Sequence, residues 1–127
     1  MPLYAAIFLF TSFASIGLPG LNGFVGEFMI LMGSFPTFQI LSSVAAFGVV
    51  LAAIYMLWAY QRIFNGQLNN EENAVLTDLN SKEILAVGPL LVLMLFIGIY
   101  PSFIESYVVK DVSVIFEAIN IYTEVSK

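Results

Sequence analysis

A single carboxylate, Glu27, lies inside the first of three long apolar runs in this sequence. It stands nine residues before Pro36, or about 13 Å along a helix, which is close to half of a hydrocarbon core about 30 Å thick. An acidic side chain at that depth costs about 2.5–3.5 kcal/mol on insertion scales, and such residues mark ion or proton paths. Burial favours the neutral acid and a nearby cation favours the carboxylate. Glu27 is therefore predicted to carry protons.

Glu27 also has a structural interpretation, in which it pairs with a partner helix or caps a broken one. The apolar runs contain no other ionisable residue except tyrosine, so Glu27 has no competitor for a proton-carrying role within this chain. The glycines around it have a structural interpretation as well, because closely spaced small residues allow helices to approach closely. They follow a three-residue spacing: Gly17, Gly20, Gly23 and Gly26.

The run that contains Glu27 extends from Pro2 to Phe35. As one straight helix it would be about 51 Å long, too long for a bilayer core of about 30 Å, yet it is too short for two full spans and a loop. A helix with halves near 3–17 and 23–35 resolves this conflict. Broken helices recur in ion-handling proteins, where other protein or a water-filled cavity satisfies the freed backbone groups. The residues expected to break the helix and line the proton path are Gly17, Pro19, Gly20 and Gly23.

The composition sets the class of protein that can hold such a helix. Of the 127 residues, 60% are hydrophobic and 10% are charged, whereas a soluble domain has about 25% charged residues. The hydrophobicity is concentrated in long runs, which predicts membrane spans in a lipid bilayer. The absence of Cys and His excludes disulfides and metal or cluster sites built from those residues, so redox chemistry is expected in another polypeptide. A net charge of −5 argues against nucleic-acid binding.

The predicted fold class is an all-α membrane protein with three transmembrane passages, the first a broken helix, and a C-terminal amphipathic helix. The residues Tyr55, Trp58 and Tyr60 lie at the end of the second passage, as an interfacial aromatic belt would.

The amphipathic tail is predicted to lie on the membrane or against a partner, or to be a surface helix with no separate role. Its generic periodicity favours the last interpretation. Its apolar face would carry Val108, Val112, Ile115, Phe116 and Ile119, and its polar face Lys110, Ser113, Glu117, Asn120 and Glu124. The predicted segments are 1–35 for the broken helix, 37–62 for the second passage, 63–82 for a polar loop with Glu71, Glu72 and Asp78, 83–101 for the third passage and 103–127 for the tail.

Basic residues predict the orientation in the membrane. Arg62 and Lys82 flank the 63–82 loop, whereas the turn at 33–38 has no basic residue, so the positive-inside rule puts the loop in the cytoplasm. Lys110 and Lys127 count against this orientation. The opening residues are not expected to form a signal peptide, because they contain no basic region and further apolar sequence follows.

Around Glu27 the sequence resembles a known family. The resemblance is to subunit M of bacterial NADH–quinone oxidoreductase (respiratory complex I), which is chain 4 of the mitochondrial enzyme. It is close over residues 1–35 and looser through the Tyr55–Gly66 and Gly98–Pro101 stretches. The residues that carry it are Met1-Pro2-Leu3-Tyr4, Ala14-Ser15-Ile16-Gly17-Leu18-Pro19-Gly20 and Asn22-Gly23-Phe24-Val25-Gly26-Glu27-Phe28.

This resemblance implies that the chain corresponds to the last part of an antiporter-like subunit, and that Glu27 matches its proton-channel acid. Related subunits usually carry Lys at that position, so Glu27 favours subunit M. The resemblance further implies a bacterial cytoplasmic membrane location and contacts with other membrane-arm subunits, including antiporter-like neighbours. No cofactor is expected in this chain, whereas NADH, FMN, iron–sulfur clusters and quinone are expected in other subunits.

The chain lacks the preceding helices of the family, including the lysines and the glutamate of the central proton path. A fragment, a truncated reading frame or one piece of a split subunit is therefore expected, and alone it should not pump. Two alternatives remain open. One is a subunit of a multi-subunit cation–proton antiporter, and the other is a non-catalytic membrane scaffold in which Glu27 only pairs helices.

Overall fold

The computed structural model describes residues 1–67, 73 and 75–125, with side chains in the last helix described up to Ile119. This part of the chain is helical and contains no strand, which confirms the predicted all-α class. Glu71, Glu72 and Lys127, and the side chains of Asn120 and Glu124, lie outside the described residues. The helices are α1 (Pro2–Ile16), α2 (Asn22–Ser34), α3 (Gln39–Phe64), α4 (Ser81–Ile99) and α5 (Ser102–Val125).

Helices α3 and α4 are long and apolar enough to cross a membrane, with mean hydropathies of 2.3 and 2.1. Their side chains are almost entirely uncovered within this chain; Ile40 and Leu85, for example, are 82% and 77% exposed. The core helix of a soluble protein would be buried, so this surface requires lipid or further apolar protein. The chain is a membrane protein.

The first apolar run forms two helices, α1 and α2, separated by residues 17–21. At about 1.5 Å per residue, α1 is about 22 Å long and α2 about 20 Å, so each is shorter than the hydrocarbon core of about 30 Å. Only together do they have the length of a membrane passage.

The bounds of α3 and α4 differ by about two residues from the predicted segments. Helix α3 starts at Gln39 because residues 35–37 form a turn, in which the N–H groups of Thr37 and Phe38 donate to the Ser34 carbonyl. Helix α4 starts at Ser81 because Asn80 and Glu83 form a capping box around its polar first turn. Hydropathy alone cannot detect such a polar start.

Aromatic rings pack α1 onto the end of α3. The Phe8 ring lies 5.3 Å from that of Phe64 and 6.4 Å from that of Tyr60, and the Tyr4 ring lies 5.8 Å from Phe64. Tyr60 therefore contributes to the packing between α1 and α3. Trp58 stays 58% exposed, and the Arg62 guanidinium lies 4.7 Å from its ring centroid.

Helix α5 follows α4 after a bend at Tyr100 and Pro101, and rings of Phe96 and Phe103 lie 5.9 Å apart across it. Val108, Val112, Ile115 and Phe116, which form the predicted apolar face, are all exposed within this chain. The described residues thus leave this face uncovered.

Candidate functional site

Helix α1 ends at a glycine because its last turn closes in a left-handed conformation. Gly17 has φ +79°, its N–H donates to the Ala14 carbonyl at 3.3 Å, and the Leu18 N–H donates to the Phe13 carbonyl at 3.0 Å. This pair of bonds is a Schellman motif, which satisfies carbonyls that the end of a helix leaves free. A residue with a Cβ would be strained at this position.

A tight turn then redirects the chain. The Leu21 N–H donates to the Leu18 carbonyl at 3.1 Å, with Pro19 and Gly20 at the two central positions. Gly20 has φ +95°, as the third residue of a type II turn requires. Pro19 suits the second position and has no N–H to leave unpaired in an apolar environment.

Helix α2 begins beside the last turn of α1 instead of continuing along its axis. A Cβ placed on Gly23 would collide with the Ala14 carbonyl oxygen and lie 3.6 Å from the Gly17 α-carbon. Gly23 therefore lets the start of α2 touch the backbone of α1. Glu27 lies one helical turn after Gly23 and so faces the same way.

The Glu27 carboxylate reaches back across this contact to Gly17. A Cβ on Gly17 would collide with the Glu27 Oε2 atom and lie 3.1 Å from its Cδ. Glu27 is partly exposed, and its carboxylate forms no hydrogen bond or ion pair with any described residue. The structural interpretation of Glu27 as a cap therefore finds no bond to support it in this part of the chain.

Of the four predicted break residues, only Gly17 is shown to lie against the Glu27 carboxylate. Gly23 packs against α1 one helical turn before Glu27, and Pro19 and Gly20 form the turn between the helices. No group of three acidic, His or Cys side chains able to hold a metal occurs among the described residues. The acidic group that the structure places at this site is the Glu27 carboxylate.

Two further residues complete the site, and the motif reasoning assigned no role to them. A Cβ on Gly98 of α4 would collide with the Gly20 carbonyl and the Leu21 α-carbon, so α4 touches the backbone of the break. The Oδ1 atom of Asn22 is buried and has no partner in the described structure. A buried amide oxygen without a donor costs about 1–3 kcal/mol, so this atom calls for a water or a donor from outside the chain.

Comparison with known proteins identifies the segment that contains this site. Residues 1–54 match the family model described as NADH:quinone oxidoreductase/Mrp antiporter, TM. Residues 1–54 belong to this family. They contain α1, the break, α2 with Glu27, and the first part of α3. Gly98 lies beyond this antiporter-family segment, on a helix that packs against it.

Individual relatives extend the similarity beyond residue 54. The chain is 39% identical over 113 residues to NADH-quinone oxidoreductase subunit M of Rhodobacter capsulatus, an alignment that covers 89% of this chain and 22% of that protein. Subunit M of Rickettsia felis is 38% identical and NADH-ubiquinone oxidoreductase chain 4 of Marchantia polymorpha 39% identical, each over 102 residues, 80% of this chain and 21% of the relative. The predicted resemblance to subunit M is confirmed. The chain spans about a fifth of the length of these relatives.

Proposed function

We propose that this chain is the C-terminal part of the proton-translocating subunit M of a bacterial NADH–quinone oxidoreductase, and that Glu27 carries protons in it. The observation that supports this most directly is the position of the Glu27 carboxylate, which lies against Gly17 at a helix break without a bond to any described residue. A structural carboxylate in an apolar environment would have its oxygens satisfied. One that exchanges protons needs an oxygen accessible to water.

The break brings the Glu27 carboxylate against Gly17, where α1 ends and the first turn of α2 lies alongside. A carboxylate oxygen of Glu27 would take a proton from water in the break and become a neutral acid. Movement of a neighbouring charge then favours the carboxylate again, and the proton leaves to water on the outer side.

The rest of the machinery lies in other polypeptides under this proposal. NADH, FMN, iron–sulfur clusters and quinone bind to other subunits, and quinone reduction drives the charge movements that reach Glu27. The chain crosses the cytoplasmic membrane more than once, with the 63–82 loop on the cytoplasmic side, and contacts other membrane-arm subunits, among them antiporter-like neighbours. It does not pump protons alone.

The decisive experiment compares native Glu27 with Glu27→Gln in the complete complex, in membrane vesicles at matched assembly. We expect Glu27→Gln to assemble normally and to lose most of its proton pumping, because an amide occupies the same volume but cannot bind and release a proton. Asp111→Asn on the exposed α5 is the matched control and should pump as the native complex does. Unchanged pumping per NADH in assembled Glu27→Gln would exclude the proton-carrying role.

A cation–proton antiporter subunit is the second candidate, because the description of the matching family covers that class too. The names of the relatives favour the oxidoreductase. Transport that depends on sodium and is independent of NADH would favour the antiporter. In a non-catalytic scaffold, Glu27→Gln would harm assembly or change nothing, and any assembled enzyme would stay fully coupled.

A further inference from the structure

The start of α1 is capped by a residue that is distant in sequence, from the loop before α4. The first N–H groups of a helix have no partner within it, and Met1 provides no side-chain cap here. The N–H of Leu3 donates to Oδ2 of Asp78 at 2.8 Å, and the N–H of Tyr4 donates to Oδ1 of the same carboxylate at 3.1 Å. One carboxylate from the loop before α4 therefore satisfies two N–H groups of α1.

The same short segment starts α4. Asp78 accepts a third bond from the N–H of Leu79 at 2.9 Å, and Asn80 forms the capping box from which α4 begins. Asp78 therefore ties the first turn of α1 to the segment that leads into α4. Any shift of the start of α1 relative to this segment breaks bonds of Asp78.

The far end of α4 contacts the helix break that follows α1. Gly98 lies seventeen residues after Ser81, or about 26 Å along the helix, and touches the backbone of Gly20 and Leu21 in the break. Asp78, just before α4, thus bonds to the start of α1, and Gly98, near the end of α4, touches the break that follows α1. Helix α1 connects these two places and ends at Gly17, against the Glu27 carboxylate.

We propose that Asp78 is a positioning residue for Glu27: by holding the start of α1, it sets where Gly17 and the break lie relative to the carboxylate. This inference rests on the proposed function of Glu27 and adds a residue that acts on it through α1. Loss of the Asp78 carboxylate leaves two helix N–H groups unpaired, so the start of α1 is no longer tied to the segment before α4 and can shift against α3. The break moves with it, which changes the environment of Glu27.

The test is a double-mutant cycle in the complete complex, measured as proton pumping per assembled complex. Asp78→Ala should lower pumping about tenfold, since misplacement by about 1 Å can cost up to about 100-fold. In the Glu27→Gln background the same change should bring no further loss. Asp78→Asn keeps one acceptor oxygen, so it should retain more pumping than Asp78→Ala. Thr77→Ala, its exposed neighbour in the same loop, is the matched control and should pump normally.

Infrared difference spectra supply a readout that a purely structural role would leave unchanged. The carboxyl band lost in Glu27→Gln belongs to Glu27, and Asp78→Ala should shift that band in assembled complexes. Three results would each overturn the inference. They are an unshifted carboxyl band, native pumping by Asp78→Ala, and a loss of pumping from Asp78→Ala that is as large in the Glu27→Gln background as in the native one. If Asp78→Ala fails to assemble, Asp78→Asn is judged by the same three criteria.

The Glu27→Gln arm separates the two proposals. Normal pumping by Glu27→Gln alone would overturn the proposed function and this inference with it. If Glu27→Gln loses pumping and Asp78→Ala lowers it further by the same factor in that background, only the role of Asp78 is overturned.

Discussion

The Glu27 carboxylate occupies the space into which a side chain at Gly17 would project. Gly17 therefore has two functions in the structure. Its positive φ allows α1 to end there, and its missing Cβ leaves room for the Glu27 carboxylate. The glycine that breaks the helix is also the wall of the candidate site. Substitutions at this position test both features together.

Gly17→Ala should impair the complex more than an ordinary glycine substitution does. A left-handed non-glycine residue costs about 1–2 kcal/mol, and the new methyl group would collide with the Glu27 Oε2 atom. We expect lower thermal stability and a loss of pumping in the complexes that assemble. The matched control is Gly26→Ala, because a Cβ there meets no atom of the described residues within 4 Å outside the backbone of its own helix. Equal behaviour of the two variants would show that the Gly17 contact has no importance.

Gly98→Ala should separate the end of α4 from the break. Its methyl group would collide with the backbone of Gly20 and Leu21, which cannot move aside as a side chain can, and overpacking of this kind costs about 1–3 kcal/mol. The melting temperature of the purified complex should fall, and pumping should fall with it. Gly88→Ala lies on the same helix with open space around its Cβ and serves as the control. A melting temperature as high as that of Gly88→Ala would contradict the close contact.

Asp78 gives a pH dependence whose direction follows from its bonds. The hydrogen bond from the Leu3 N–H, together with those from Leu79 and Tyr4, holds the pKa of the Asp78 carboxyl below its ordinary value of 3.8. Because the pKa is lower in the folded protein than in the unfolded chain, the stabilisation is fully present above about pH 4 and is lost as the pH falls through the folded value.

The stabilisation from the bonds between Asp78 and the start of α1 should therefore not change between pH 7 and 5, where Asp78 stays charged. Melting temperatures of the native complex and of Asp78→Asn, measured at a series of pH values, check this. The difference between them should be constant near neutrality and should shrink below about pH 4 as the native carboxyl is protonated. A difference in melting temperature that changes between pH 7 and 5 would show that a group other than Asp78 controls this stabilisation.

The sequence by itself determined the features that depend on neighbours within a few residues. Gly17, Pro19 and Gly20 predict an interruption because their backbone preferences are local, and the structure has its left-handed glycines and tight turn at that place. Long apolar runs predict α3 and α4 for the same reason, with ends displaced by about two residues where a polar cap or a turn decides the bound. The family segment and the candidate acid were also visible in the sequence.

The tertiary structure alone decided which distant residues meet. Asp78 bonds to Leu3 and Tyr4 across more than seventy residues, and Gly98 touches the break, because α3 folds back along α1 and α4 packs against α2. Tyr60 packs between helices although its position in the sequence is typical of a membrane interface. Such pairings depend on how whole helices pack against one another, and no local preference of either partner encodes them.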